Sequence, residues 1–596
     1  MGKSSSRHSS PSACFPRRLY PSNLARAICI LTHQELRGGY LSGQSYVILS
    51  QQGEELQFMK QARRVVWFIL STILLCALLG GVYGRQVEAT AGSDDSDVKT
   101  SLSAFTRVYD IVEANYADPV DPDQTIYGPP NSTLGAIPGA LRTLDPHSNF
   151  FDPRAFALLR EDQEAKYYGV GMQIVTRPGK LGKLVTYVQK PIPGSPAFRA
   201  GLRPGDIVSK VDGKPTEGLN VSQVADMLKG PKGTKVRVTV LREGYDQALD
   251  FDIVRDEISP QSVDDAFIIR PNIGYIHIAK FDENTDEGLS EALRKLNEKN
   301  LQGLVLDLRD NPGGLLPEAV QVSDHFLEKP QLIVYHSGRH SREKRYYATR
   351  SDDGNEYPMV VLINRMTASA AEIVTGALQD HDRALVIGEP SFGKGLVQTV
   401  YQLSEHTGLA LTTAHYYTPS GRLIQRDYEN VSLYDYYYHP ELTKPAHAEV
   451  RLTDGGREVY GGGGITPDVE FADPKLDPTQ ETLFQHSAFF DFAKSYLGVH
   501  KTIPRDFEVS DAVLDDFKQF LAKEKIPLTD INLTANLDFI KNHIRIQLVD
   551  LIYGEVEADR INKVNDPLVL KALDDMPQAR ELMAKAKRYI ASRTSK

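Results

Sequence analysis

The sequence predicts a multidomain protein with α/β and α+β regions, in which an α/β core is flanked by helical segments. Three observations support this prediction. Across residues 251–475, short apolar strands alternate with amphipathic helices, a pattern typical of a sheet covered by helices. Residues 166–245 contain short strands and one helix separated by glycine-rich turns. Residues 476–596 show an almost entirely helical pattern.

Composition excludes several classes of protein. Of 596 residues, 41% are hydrophobic and 24% are charged, so the chain has ample material for several cores. The net charge of −10 argues against a nucleic-acid-binding protein. Cys14, Cys29 and Cys76 all precede residue 77, which excludes a disulfide framework and a cysteine-based zinc site from the main body. We expect no metal ion and no cofactor.

The N-terminal residues predict export. Residues 1–58 form a leader rich in Ser, Arg and Gln, and residues 59–86 contain Lys60, Arg63 and Arg64 before 18 apolar residues, 65–82. That length fits both a signal peptide and a membrane anchor, and the two alternatives stay open. The preceding positive charge predicts a cytoplasmic N-side and an exported body. Because residue 59 begins a more conventional export signal, we expect that the assigned start lies too early.

Residues 98–165 predict an N-terminal helical region. Apolar residues recur at helical spacing over residues 101–116, and a second short helix is predicted over residues 133–144. The second helix runs into LDPHSNFFDP, which contains His147. An Asp-Pro-His-Ser turn favours a helix stop with local hydrogen bonds over a catalytic role for this histidine.

Residues 166–245 carry YYGVGMQIV, then PIPGSPAFRAGLRPGDIVSKVDGKP, then a helix over Val221–Leu228 and a strand over Lys235–Leu241. This arrangement resembles a PDZ domain, which binds a peptide between an edge strand and a helix. The free N–H groups expected to receive a terminal carboxylate belong to Gly169, Val170 and Gly171. The side chains expected to hold an apolar last residue are those of Met172, Ile174, Val224 and Leu228. A merely flexible GVG turn is the alternative.

The predicted core begins with strands at residues 273–280 and 304–308, separated by a helix at residues 285–299. The second strand continues into Asn311-Pro312-Gly313-Gly314, whose N–H groups could point at a reacting carbonyl. A plain strand–helix turn would look similar. Strand 409–418 and the tract GGGGITPDVEF complete the core, and an aromatic cluster at residues 434–440 predicts a surface insertion near the cleft.

Residues 366–398 contain the candidate catalytic residues. An apolar strand over Met359–Ile363 leads through a small-residue turn containing Ser369 into a helix. A strand at residues 384–387 and Lys394, between two glycines, follow. The N–H groups of the first helical turn, with the helix dipole, could stabilise an oxyanion. The alternative is that Ser369 only caps the helix, since Ser-Ala-Ala-Glu372 fits a capping box.

A serine hydroxyl needs a base to become a nucleophile, and a lysine can serve only when it has lost its proton. The free lysine pKa is about 10.4, but burial can lower it by several units. Phe392, Leu396 and Val397 could supply apolar surroundings, and the Gln398 amide could hold the amine without adding charge. We expect no acid nearby, since a carboxylate would keep the lysine protonated.

A Ser–His–Asp triad is the rival interpretation. Asp380 and His381 lie close in sequence, but they fall at the end of the helix that Ser369 begins. Residues at that place are usually a solvated helix exit, so the pattern favours lysine as the base.

The C-terminal extension, residues 476–596, predicts amphipathic helices at Asp511–Lys523 and at residues 536–553 and 566–591. Such a helical tail is typical of packing or oligomerisation, and no catalytic residue is assigned to it.

The segments TASAAEIVTGAL and FGKGLVQ resemble those of carboxyl-terminal processing proteases, also called tail-specific proteases, which are serine peptidases with a Ser–Lys dyad. The resemblance covers roughly residues 100–475. It implies that Ser369 is the nucleophile, Lys394 the general base and Gln398 the residue that orients the lysine. It also implies an oxyanion hole formed by the backbone N–H of Ala370 with Gly313 or Gly314. The implied fold is a ClpP/crotonase-like core, residues 251–475, with an inserted PDZ domain.

The resemblance further implies an exported endopeptidase that recognises protein substrates through apolar free C-termini and cleaves their tails. We expect it on the periplasmic side of the inner membrane, anchored there or released after signal cleavage. A homo-oligomer or an adaptor protein is a further expected partner. The alternative is a catalytically silent PDZ scaffold, against which the intact Ser–Lys–Gln set argues.

Overall fold

The computed structural model describes residues 95–128, 134–179, 182–350, 357–403, 406–429, 431–443, 449–472, 474–526 and 534–594. The predicted leader and the apolar segment, residues 1–58 and 59–86, lie outside these ranges. Within them, no helix is both long enough and apolar enough to cross a bilayer. The chain forms two compact units, Met1–Pro119 and Val120–Lys596. The described part of the first unit contains helix α1, Asp95–Asn115, which begins earlier than predicted.

The second unit begins with α2 (Pro122–Ile126), α3 (Ala136–Arg142), β1 (Asn149–Phe151) and α4 (Pro153–Gln163). Aspartate side chains cap two of these helices, each followed by a proline at the first helical position. Asp121 accepts from the N–H groups of Asp123 and Gln124, and Asp152 accepts from that of Ala155. Strand β1 pairs with a core strand, which joins this region to the core.

The PDZ region contains eight strands and two short helices. They are β2 (Tyr167–Gly169), β3 (Met172–Pro178), β4 (Leu184–Pro191), α5 (Pro196–Ala200), β5 (Ile207–Val211), β6 (Lys214–Pro215), α6 (Val221–Leu228), β7 (Lys235–Leu241), β8 (Leu249–Val254) and β9 (Asp256–Ile258). Strands β3-β4-β5-β7-β8 form an antiparallel sheet with β6 on β5, and β2 pairs with β9. Asn220 and Gln223 form a capping box at the start of α6. Helix α6 and strand β7 have the predicted bounds.

The core contains twelve further strands and four α-helices. They are β10 (Val263–Arg270), β11 (Ile273–Ile278), α7 (Thr285–Lys295), β12 (Gly303–Asp307), α8 (Leu316–Asp324), β13 (Leu332–Ser337), β14 (Lys344–Tyr347), β15 (Met359–Ile363), α9 (Ala370–Asp380), β16 (Leu385–Gly388), β17 (Leu396–Gln402), β18 (Gly408–Tyr417), α10 (Leu433–Tyr438), β19 (Val450–Leu452), β20 (Glu458–Tyr460) and β21 (Val469–Glu470). Short 3-10 helices span Glu298–Asn300 and Pro440–Thr443.

The main sheet has the order β10-β11-β12-β15-β16-β21, and all its pairs are parallel except β10 with β11. A second sheet has the order β1-β18-β13-β14, with β17 paired to β18. Strands β12 and β15 are neighbours, so the loops that follow them lie side by side at the carboxyl edge of the main sheet. These two loops carry Gly313, Gly314 and Ser369.

Both faces of the main sheet are buried, which explains its nearly continuous apolar strands. Along β12, Leu304 and Leu306 belong to a cluster with helices α7, α8 and α9. The intervening Val305 belongs to a cluster on the opposite face, formed with the C-terminal helices.

The C-terminal extension contains α11 (Pro478–Gln485), α12 (Ala488–His500), α13 (Asp511–Lys523), α14 (Leu537–Tyr553), α15 (Glu555–Val564), α16 (Pro567–Asp574) and α17 (Met576–Thr594). The first helices form their own core around Phe489, Phe492 and Phe517. Helices α16 and α17 cover the second face of the main sheet. One predicted helix over residues 566–591 is therefore two helices. Pro577, at the start of α17, cannot continue a helix because it lacks an N–H and clashes with the preceding turn.

Candidate active site

Ser369 lies in the turn between β15 and α9, with φ of 55° and ψ of −114°. A positive φ is uncommon for a residue with a side chain and is found where the surroundings impose it. The Ser369 N–H donates to Oε2 of Glu372 at 2.7 Å. The Glu372 N–H donates to the Ser369 carbonyl oxygen at 2.9 Å. The strained backbone is therefore held by the third residue of the helix.

Lys394 lies in the extended loop between β16 and β17. Its Nζ donates to Oε1 of Gln398 at 2.9 Å, and Nε2 of Gln398 donates to the His147 carbonyl oxygen at 2.6 Å. Because a backbone carbonyl only accepts, the amide must turn its NH₂ to His147 and its oxygen to the lysine. Burial lowers the pKa of Lys394, while the negative charges of Glu372 and Asp145 oppose that change.

The absence of an acid near Lys394, expected from the sequence, is wrong for this structure. Glu372 is fully buried, and it also accepts hydrogen bonds from the Ser391 hydroxyl at 2.5 Å, the Gly393 N–H at 2.7 Å and the Lys394 N–H at 2.9 Å. Burial raises the pKa of Glu372 above its usual value, although the hydrogen bonds that it accepts oppose that rise. Four donors match an ionised carboxylate, which joins the serine turn to the lysine loop. The capping-box spacing was the only sequence signal for this residue.

The loop after β12 approaches the serine closely. A Cβ atom on Gly313 would lie 2.7 Å from the Ser369 Cβ, and one on Gly314 would lie 1.9 Å from the Phe281 oxygen. The Gly313 N–H already donates to Oδ1 of Asn311 at 2.8 Å. Within the described chain, the N–H groups of Gly314 and Ala370 make no backbone hydrogen bond. Of the three predicted oxyanion donors, these two are therefore available.

Further hydrogen bonds fix the loops that carry Gly313, Ser369 and Lys394. The sequence did not predict these roles for Asn311 and Tyr416. The Ala368 N–H donates to the Asn311 carbonyl at 2.9 Å, and the Asn311 amide donates to the Ile278 carbonyl at 2.7 Å. The Tyr416 hydroxyl lies 3.0 Å from the Ser369 carbonyl oxygen and 2.5 Å from that of Lys394. These contacts join residues that lie far apart in sequence.

A cavity of about 610 Å³ opens at this place. All six residues predicted for catalysis and the oxyanion hole line it: Gly313, Gly314, Ser369, Ala370, Lys394 and Gln398. Apolar side chains of Leu396, Val397 and Leu159 also contribute to its wall. The cavity can hold a peptide segment beside the serine, in surroundings that favour a neutral lysine.

The rival triad does not assemble. His381 ends helix α9, and an 11-residue helix is about 16 Å long. Its Nδ1 lies 2.6 Å from Asp454 and its Nε2 lies 2.7 Å from the Leu332 carbonyl oxygen. Asp380 instead pairs with the buried Arg422 at 2.7 Å. Both side chains hold the helix end in place.

The PDZ region has a groove of about 80 Å³ between β3 and α6. Its lining residues are Tyr167, Val170, Gly171, Met172, Ile174, Ala225, Leu228 and Lys229. Five of the seven predicted peptide contacts are among them: Val170, Gly171, Met172, Ile174 and Leu228. Gly169 instead lies opposite Asp256 in the β2–β9 pair, and Val224 is fully buried in the domain core. The helical period places Ala225, the neighbour of Val224, in the groove.

Away from this site, possible ligand atoms of Asp264, Asp265 and His277 lie within 4.8 Å of one another. A metal ion could bridge such a group. However, His277 Nδ1 lies 2.6 Å from Asp264, and its Nε2 lies 3.3 Å from the Arg309 carbonyl oxygen. We assign this group no part in the chemistry at Ser369.

Three regions of the chain are similar to known protein families. The family described as peptidase family S41 matches residues 272–430, and the PDZ domain family matches residues 187–242. A probable PDZ-protease C-terminal helical domain matches residues 479–531. A carboxy-terminal-processing protease from Bartonella bacilliformis is 37% identical over 367 residues, which cover 61% of this chain and 80% of that protein. The chain belongs to the carboxy-terminal-processing proteases of peptidase family S41.

This S41 peptidase has further relatives of the same kind. A carboxyl-terminal-processing protease from Synechocystis is 37% identical over 294 residues, which cover 48% of this chain and 67% of that protein. Among solved structures, the photosystem II D1 C-terminal processing protease matches with 29% identity and a TM-score of 0.32, over 62% of this chain and 87% of that one. The predicted family, fold class and enzyme class, a serine-type C-terminal processing peptidase, are confirmed.

Proposed function

We propose that this S41 peptidase cleaves the C-terminal tails of exported proteins by acyl transfer, with Ser369 as nucleophile and Lys394 as general base. One observation supports this assignment above the others. The amine of the half-buried Lys394 is held by the neutral Gln398 amide in the same cavity as Ser369. A lysine in such surroundings loses its proton more readily and can then accept the serine proton.

The proposed reaction begins when Ser369 Oγ attacks the scissile carbonyl carbon and passes its proton to the Lys394 amine. The N–H groups of Gly314 and Ala370 stabilise the oxyanion of the tetrahedral intermediate. The Lys394 ammonium then protonates the leaving amine as the C–N bond breaks. Lys394 next takes a proton from water, whose oxygen attacks the acyl-enzyme ester, and returns it to Ser369 Oγ.

Recognition is proposed to begin at the PDZ groove. Its apolar lining, including Met172, Ile174 and Leu228, suits an apolar last side chain. Backbone N–H groups near Gly171 would bind the free terminal carboxylate. Selection by chain end would then be separate from cleavage at Ser369.

Export and location are also proposals. The basic residues before the 18-residue apolar run support an exported body on the periplasmic side of the inner membrane, either anchored or released. Fractionation with N-terminal sequencing of the native protein tests this. A mature chain beginning after residue 82 indicates release, and a membrane-bound chain retaining residues 65–82 indicates anchoring. Peptides from residues 1–58 would show that translation starts before residue 59. A homo-oligomer or an adaptor protein remains a proposed partner.

A serine-reactive fluorophosphonate probe tests the chemistry. The wild-type protein should be labelled at Ser369, and Ser369→Ala should lose both labelling and cleavage of a tail peptide. The matched control is Ser222→Ala, at an exposed position on α6, which should retain both. Absence of labelling and cleavage in the correctly folded wild type would instead favour the catalytically silent scaffold.

A further inference from the structure

The Gln398 amide is held by a turn 251 residues earlier in the chain. Residues 145–148 form this turn, which we call the 145–148 turn. Its Asp-Pro-His-Ser sequence predicts a helix stop and no catalytic role for His147. Its contact with Gln398 is made through the main-chain carbonyl of His147, at 2.6 Å from Nε2.

Asp145 builds the turn. Its Oδ1 accepts hydrogen bonds from the N–H groups of His147 at 2.8 Å and Ser148 at 2.7 Å, and its Oδ2 accepts from the Ser148 hydroxyl at 2.7 Å. The Ser148 hydroxyl in turn accepts from the Thr412 N–H at 3.1 Å. Thr412 lies opposite Gln398 in the β17–β18 pair. The turn is therefore fixed to the strand that pairs with the strand carrying Gln398.

The aromatic insertion holds the other side of the turn. The Tyr436 hydroxyl, on a nearly fully buried side chain, lies 2.9 Å from Nε2 of His147. The neighbouring Tyr437 hydroxyl donates to the Pro146 carbonyl at 3.3 Å. Burial and the Lys394 charge lower the pKa of His147 to about 3, so its ring is neutral near neutral pH. This ring therefore adds no positive charge beside the lysine.

We infer that the 145–148 turn positions the general base of this peptidase by fixing the orientation of the Gln398 amide. Asp145 and Tyr436 are positioning residues, and His147 contributes its carbonyl oxygen rather than its imidazole. If the amide rotated by 180°, its oxygen would face the His147 carbonyl oxygen, and two acceptors would meet. Its NH₂ group would then face the Lys394 amine. The amine would lose its acceptor, and its lone pair would accept from the amide and no longer be free to take the Ser369 proton. This inference rests on the proposed Ser369–Lys394 mechanism.

Two substitutions at one position test the inference. Asp145→Ala removes both acceptors of the turn, whereas Asp145→Asn keeps an oxygen that can accept from the His147 and Ser148 N–H groups. We expect kcat on a tail peptide to fall about ten- to a hundredfold in Asp145→Ala, because small misplacement of a catalytic group costs rates of that order. KM should change little. In Asp145→Asn, kcat should stay within about threefold of wild type, since the turn is rescued.

Asp121→Ala is the matched control. Asp121 makes the same kind of local bond, accepting from the N–H groups of Asp123 and Gln124 at 3.0 and 3.3 Å, away from the cavity. It should retain wild-type kcat. Should Asp145→Ala fail to fold, Ser148→Ala removes the bridge to Thr412 and should lower kcat about three- to tenfold by a weaker form of the same misplacement. His147→Ala keeps the carbonyl and should lose less activity than Asp145→Ala.

The pH profile of kcat distinguishes misplacement of the Lys394 amine from loss of the Asp145 charge. The negative groups acting on Lys394 are Glu372 and Asp145, and both raise its pKa. Both Asp145 variants remove one negative charge and should shift the acidic limb to lower pH, but only Asp145→Ala should lose plateau kcat. Equal kcat in Asp145→Ala and Asp121→Ala, or equal losses in both Asp145 variants, would overturn the inference. So would loss of all activity in His147→Ala. Retained activity in Lys394→Ala would instead refute the proposed mechanism itself.

Discussion

The Oε2 atom of Glu372 accepts a hydrogen bond from the backbone N–H of Lys394 at 2.9 Å, and within the described chain no ion pair joins this carboxylate to the lysine amine. The carboxylate charge is directed at backbone and hydroxyl donors. The amine faces the neutral Gln398 amide. A buried acid can therefore lie beside the lysine loop while burial still lowers the pKa of Lys394.

Glu372→Gln should impair both catalysis and folding. The amide NH₂ would face donors such as the Ser369 and Lys394 N–H groups, and each unsatisfied buried donor costs about 1–3 kcal/mol. We expect kcat to fall at least about tenfold, because the serine turn and the lysine loop lose their common acceptor. Chemical denaturation and peptide kinetics would measure these effects. Wild-type values of both would show that the carboxylate is dispensable.

Lys394→Arg should abolish cleavage although the positive charge is retained. A guanidinium does not lose its proton at working pH, so it cannot accept the proton of Ser369. The control Lys183→Arg changes an exposed lysine paired with Glu217 and should leave turnover unchanged. Turnover in Lys394→Arg near the wild-type rate would mean that another residue is the base.

Cleavage should become faster as pH rises through the pKa of Lys394. The active form is the neutral amine, so activity is lost on the acidic side and retained above that pKa. Burial lowers the pKa, which should place the midpoint of the kcat profile well below that of free lysine, about 10.4. A stopped assay from pH 5 to 10 measures this midpoint. A rate already at its plateau at pH 5 is incompatible with a lysine base of this kind.

Amidating the C-terminus of a substrate tail should weaken its binding. A hydrogen bond to a charged group contributes about 1.5–3 kcal/mol, which corresponds to about ten- to a hundredfold in affinity. Ala225→Glu introduces a carboxylate into the PDZ groove. It should weaken the binding of free tails and reduce the preference for free over amidated tails. Ser222→Glu, at an exposed position on the same helix, is the control. Equal cleavage of free and amidated tails by the wild type would place selection in the cleft instead.

His381→Ala should reduce stability but keep kcat within about threefold, because this residue holds the end of α9. Burial opposes protonation of His381, but hydrogen bonds to Asp454 and to the Leu332 carbonyl outweigh it and raise its pKa. A raised folded-state pKa contributes stability that is present below the unfolded value of about 6.5 and is lost as pH rises through the folded value. The destabilisation should therefore be larger at pH 6 than at pH 9 in urea titrations. A hundredfold loss of kcat in folded protein would instead support the Ser–His–Asp triad.

The sequence by itself was sufficient to identify the fold class and to propose which side chains react. Ser369 and Lys394 lie within short segments whose local pattern, a strand–turn–helix and a glycine-flanked lysine, carries their chemistry. The bounds of α6 and β7 also followed from local periodicity. Local propensity and spacing depend only on neighbours in the chain, so a single sequence contains them.

Tertiary structure alone decided how these residues are oriented. The Asn311 side chain occupies the Gly313 N–H, and Val224 points into the PDZ core rather than the groove. The orientation of Gln398 depends on the carbonyl of His147, 251 residues away. Hydrogen-bond direction and burial depend on which distant segments meet. In this chain those contacts follow from the pairing of β12 with β15 and of β17 with β18, which local sequence patterns do not specify.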